Sequence, residues 1–143
     1  MIASRAARYR VVSFSPVWRA GLLAAGVAAG ANAVLYLLGR ALGVSFLISS
    51  QPGVDPMTLP LTMVILASAM GAVAGTVVFA LLSRWTWHGT RLFQLVGLVF
   101  LVLSFGGPLS LSSSDNVTKA ALVAMHIVAG GATIVLLSRS PQR

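Results

Sequence analysis

His126 sits near the middle of the apolar run AALVAMHIVAGG. An imidazole changes charge near neutral pH and is a common ligand of metals and haem iron. Three chemistries follow from its position: a proton relay or small-ion pathway, an axial haem ligand, or a polar anchor for an apolar cofactor. Each needs company. A relay wants acidic or imidazole groups through the same layer. A haem held between helices wants a second histidine at matching depth. The only other histidine, His88, lies in a polar turn. A plainer reading is a neutral imidazole hydrogen-bonded to another helix. Asn32 is the expected partner, and Ser68 and Thr76 are the other polar groups in comparable surroundings.

Asp55 and Asp115 are the only side-chain carboxylates, and the chain has neither Glu nor Cys. Thiolate nucleophiles, disulfides and cysteine metal sites are therefore excluded. No glycine-rich phosphate loop, plausible Ser-His-Asp set or metal-spaced His/Asp cluster is present. No catalytic residue, metal site or cofactor is assigned, and an enzyme is not expected. Thr58 and Thr118 each follow an aspartate by three positions, giving D-x-x-T twice. If the two segments approach, Asp55 and Asp115, with Ser112, Ser113, Ser114 and Thr58 nearby, form an oxygen-rich site able to hold a hard cation, and Thr118 belongs to the same outer-face polar set. Helix capping is the simpler role: Asp55-Pro56 or Thr58 opening one helix, Asp115 or Ser114 opening another.

The elements carrying these residues are set by hydropathy. Apolar residues make up 57% and charged residues 8%, against about 25% charged in soluble domains. Mean hydropathy is +0.93. Crossing a bilayer takes about 20 apolar residues. Four stretches qualify, at about 17–42, 59–82, 91–109 and 116–138. An uncleaved first helix is expected rather than a signal peptide, because three more spans follow. Residues 1–143 form a single transmembrane domain with a basic tail over 1–16. The fold class is all-α: an integral membrane four-helix bundle of two helical hairpins. Gly106-Gly107-Pro108 should break or bend the third span.

The net charge of +8 does not point to nucleic acid, because the basic residues flank apolar spans. Arg5, Arg8, Arg10, Arg19, Arg84, Arg91, Arg139 and Arg143 fall on one side. Arg40 and Lys119 fall on the other, with both aspartates. Cationic flanks stay in the cytoplasm, so both termini are expected there. Trp18, Trp85 and Trp87 gather on the same side as an interfacial belt.

Lipid tails are as apolar as leucine, so close backbone approach, rather than hydrophobicity, joins helices in a bilayer. Gly26 and Gly30 supply a G-x-x-x-G, Ala67, Gly71 and Gly75 a longer stripe, and Gly130 and Gly131 a notch in the last span. They serve packing within one bundle, a homo-oligomer, or a larger membrane complex. The loops after spans one and three also share Ser-Phe, a serine pair and D-x-x-T in that order (Ser45-Phe46, Ser49-Ser50, Asp55, Thr58; Ser104-Phe105, Ser112-Ser113, Asp115, Thr118). This echo raises a duplicated hairpin.

Two segments carry a family resemblance: Asp115 to Thr118 with Ala121-Leu122 and Met125-His126, and the run RALGVSF from Arg40 to Phe46. Over roughly residues 18–138 the chain resembles the small four-span proteins of the domain of unknown function 6069, typical of high-GC bacteria. That resemblance implies four membrane helices in a bacterial cytoplasmic (inner) membrane. It carries over no activity or cofactor, and singles out Asp115, Thr118 and His126 as positions to test. The expected role is a non-enzymatic membrane protein acting through helix packing with itself or as an accessory subunit. The alternatives are an ion path through His126 and the outer Asp/Ser cluster, or an apolar or haem-like cofactor at His126.

Overall fold

The computed structural model describes residues 14–49, 55–111 and 114–140. Arg5, Arg8, Arg10, Ser50, Ser112, Ser113 and Arg143 lie outside the described residues. Five helices and one strand pair form in chain order: α1 (Phe14–Ala41), β1 (Leu47–Ile48), β2 (Met57–Thr58), α2 (Leu61–Trp85), α3 (Gly89–Ser104), α4 (Gly106–Ser110) and α5 (Asn116–Ser138). α3 and α4 together make the third span, so four segments are long and apolar enough to cross a membrane.

Small residues let the helices close on one another. On α1, Ala24 and Ala28 are fully buried, and Ala72 is nearly so on α2. Gly21 faces Thr76 so closely that a Cβ at 21 would sit 2.5 Å from the threonine Cγ2. Gly75 meets Thr133 of α5 in the same way, at 2.9 Å. Larger side chains fill the two ends. Tyr36, Phe46, Leu59, Val64, Leu122 and Met125 pack one end, and Val17, Phe79, Phe93 and Leu137 pack the other. The second cluster joins the start of α1 to the finish of α5, so both described ends of the chain lie at one end of the bundle. The third span is peripheral: 11% of its apolar stretch is buried, against 33% for α1.

α1 ends in a left-handed cap. Gly43 has φ 88°, its N–H donates to Arg40 O, and the Val44 N–H donates to Gly39 O. This is the Schellman pattern, which satisfies carbonyls the helix leaves open. The chain then turns Phe46 inward at φ 49°. Its ring lies 4.7 Å from that of Tyr36 and beneath Gly39, which has no Cβ to obstruct it. β1 and β2 pair antiparallel, Leu47 with Thr58 and Ile48 with Met57.

Three local expectations are corrected. Neither Asp55-Pro56 nor Thr58 opens α2: Thr58 is in β2, and Pro60 precedes the helix without a side-chain cap. Backbone pairing with Leu47 has claimed the residues that read as a cap. The third span breaks at Phe105, one residue before the Gly-Gly-Pro run, which forms the first turn of α4. Proline fits there because its missing N–H has no helical partner so near a helix start. The two echoing loops do not repeat one structure. The first ends in a strand pair, whereas Ser104 closes α3 and a short helix follows.

Candidate functional site

Polar side chains inside the bundle mostly bond to their own helix. Thr76 Oγ1 donates to Ala72 O and Thr133 Oγ1 to Ala129 O, both at 2.7 Å. Ser68 Oγ donates to Val64 O at 2.7 Å and accepts from Asn32 Nδ2 at 2.9 Å. The Asn32–Ser68 bond is the interhelical polar link between α1 and α2. Asn32 Oδ1 is buried without a partner, in a residue only 3% exposed.

α2 and α5 run in the same direction, and Gly75 lies level with Thr133. Seven residues back along each helix brings Ser68 and His126 to one depth. Asn32, Ser68 and His126 therefore share a layer near mid-bundle. His126 Nδ1 lies 2.7 Å from Leu122 O. A carbonyl only accepts, so Nδ1 carries a proton, and in a neutral ring Nε2 would be left as an acceptor. The expected His126–Asn32 bond is not made. With the ring neutral, Nε2 and the unpartnered Asn32 Oδ1 would both be acceptors, and no bond joins them. Thr76 lies two turns away from Ser68 along α2 and joins neither.

A second polar cluster closes the end of the bundle away from the described chain ends. Asp115 caps α5 by accepting from the Thr118 N–H at 2.5 Å. Its second oxygen accepts from Ser45 Oγ at 3.0 Å. Ser45 Oγ also lies 3.2 Å from Thr118 Oγ1. Arg40 Nη1 donates to Ser45 O at 2.9 Å, and Ser114 Oγ donates to Leu47 O at 2.6 Å. Bonds from Thr118 and then Ser45 favour the ionised carboxylate and hold Asp115 below its ordinary range. Thr118 is buried, whereas Asp55 and Thr58 are exposed. Asp115 and Thr118 thus converge with Ser45, not with Asp55 and Thr58. Sequence reasoning missed Ser45 and Arg40 as partners, although Ser45-Phe46 stood in the motif. The missing signal was the left-handed turn that returns Ser45 toward α5.

The glycines divide into two groups. Gly75 packs against Thr133 and Gly130 against Leu101. Gly26, Gly30, Gly71 and Gly131 have no heavy atom within 4 Å of where a Cβ would project. At 100° per residue, Gly26 and Gly30 centre on the face of α1 opposite Ala24, Ala28 and Asn32. Ala67 and Gly71 are exposed on a flank of α2.

Four long apolar helices, outward hydrophobic side chains and inward small or self-bonded polar groups define a polytopic helical membrane protein. Among the described residues no three His, Cys, Asp or Glu side chains converge to hold a metal. The chain belongs to the family of unknown function DUF6069, whose model matches residues 12–143. No curated protein and no solved structure matches it.

Proposed function

We propose that this is a non-enzymatic, multi-pass protein of the bacterial cytoplasmic membrane, with both termini in the cytoplasm, that acts by packing against further copies of itself within the bilayer. The supporting observation is the glycine pair on α1. Gly26 and Gly30 face directly away from the bundle, one turn apart, with open space over both. In lipid the gain on association comes from dispersion contacts at close backbone approach, and a G-x-x-x-G notch maximises that approach. Ala67 and Gly71 offer a second exposed notch, so the same chain suits an accessory place in a larger complex. The charge asymmetry supports the orientation.

The test is oligomeric state in native-like nanodiscs. Wild type is expected to associate, and Gly30→Leu to shift it toward monomer with the helical spectrum unchanged. A wild type that is monomeric across protein-to-lipid ratios overturns the reading.

One observation favours a second reading, a proton pathway. Asn32 Oδ1 is an unused acceptor at the depth of His126. A protonated imidazole would gain an Nε2–H donor suited to it. Proton flux in liposomes that falls in His126→Ala would support this reading, and flux indistinguishable from empty liposomes would remove it.

A further inference from the structure

We infer that the turn between α2 and α3 is a binding site for a phosphate-bearing anion. Trp87, His88, Thr90 and Arg91 line an open surface cleft of about 310 Å³. Arg84 stands in the last turn of α2, seven positions before Arg91 in the chain. Two permanent cations and an imidazole thus fall within the segment 84–91. The only side-chain carboxylates, Asp55 and Asp115, are at the other end of the bundle. The 23 residues of α5 put that end about 34 Å away.

The cleft wall therefore offers donors and positive charge with no acidic side chain. A guanidinium presents a planar fork of N–H groups, and an indole N–H only donates. Such a wall selects an anion with several oxygen acceptors, and the fork matches phosphate in two-point contact. The positive end of α3 lies at the same place and adds to the field.

Depth favours a lipid source. Trp85 and Trp87 are 73% and 88% exposed, and such amphipathic rings settle at headgroup level. The cleft lined by Trp87 and Arg91 then lies among phospholipid phosphates. Basic pockets between membrane helices on the cytoplasmic side take anionic headgroups by this chemistry. A free phosphate shares it.

Two arms separate the sources. In the first, the full-length protein is taken from nanodiscs of phosphatidylcholine with a minority of phosphatidylglycerol, and retained lipid is read by native mass spectrometry. Wild type should retain phosphatidylglycerol selectively. Arg84→Gln and Arg91→Gln should each weaken retention about fivefold, and Lys119→Gln, at the far end, should not. In the second arm, inorganic phosphate is titrated into detergent-solubilised protein stripped of anionic lipid and followed by phosphorus NMR. Broadening that is lost in Arg91→Gln, without selective lipid retention, assigns the site to soluble phosphate. If neither retention nor broadening depends on Arg84 or Arg91, the site does not exist.

Discussion

Asn32 and Ser68 form a pair whose members differ in what their loss exposes. Ser68→Ala removes the partner of Asn32 Nδ2 and leaves both polar ends of a buried amide unbonded. Asn32→Leu removes the amide altogether, including the already unpartnered Oδ1, and leaves Ser68 bonded to Val64. Interhelical hydrogen bonds in membranes contribute about 0.6 kcal/mol on average, and an orphaned buried group costs about 1–3 kcal/mol. Ser68→Ala is therefore expected to destabilise by about 1–2 kcal/mol in reversible unfolding from bicelles, and Asn32→Leu to be close to neutral. The reverse order would mean Oδ1 has a partner in the membrane. Asp115 gives a pH signature instead. Its folded carboxyl titrates below the unfolded value. The stabilisation from its cap is thus complete above the ordinary carboxylate range and disappears as pH falls through the lowered value. Thermal denaturation from neutral into acid should show this loss in wild type, and Asp115→Asn should flatten it. A side-chain cap on α5 was legible as Asp115 or Ser114, because either residue before an apolar run has one dominant local use, and Asp115 makes it. The imidazole's choice of its own helix over Asn32 was not legible, because sequence gives depth but not rotamer.

The connection after α1 depends on two left-handed residues with opposite costs. Gly43 reaches φ 88° without a side chain to clash, whereas Phe46 holds φ 49° because its ring is fully buried against Tyr36 and Gly39. Gly43→Ala should cost about 1–2 kcal/mol, the penalty of an L side chain in that region. Phe46→Ala should cost about 3 kcal/mol or more, since the ring's packing is lost while the Cβ penalty of the left-handed backbone remains. Equilibrium unfolding of both variants checks the order, and a Gly43→Ala loss exceeding that of Phe46→Ala would contradict it. The long helices were readable from apolar length alone, with bounds shifted by a few residues at several ends. The strand pair was not readable. Two residues on each side carry too little pattern to distinguish from a polar loop, and tertiary pairing overrode the cap-like Asp55 and Thr58.

Across the whole molecule, the four spans and the shared end of the chain's described limits followed from where charge stops and apolar sequence begins. Which glycines face inward did not follow, since a G-x-x-x-G spacing is the same for a neighbour in the bundle and a neighbour beyond it. The structure distinguishes them, and that distinction predicts two separable phenotypes. Leucine at Gly75 must displace Thr133 and wedge α2 from α5, a cost of about 1–3 kcal/mol for overpacking. It should lower unfolding stability whatever the oligomeric state. Leucine at Gly26 or Gly30 projects into open space and should leave the stability of an isolated protomer within about 0.5 kcal/mol of wild type. The two measurements, protomer unfolding at high lipid dilution and association at low dilution, should therefore move independently. A Gly30→Leu protein that unfolds as readily as Gly75→Leu would place the α1 glycines against a neighbour within the bundle and remove the outward face from consideration.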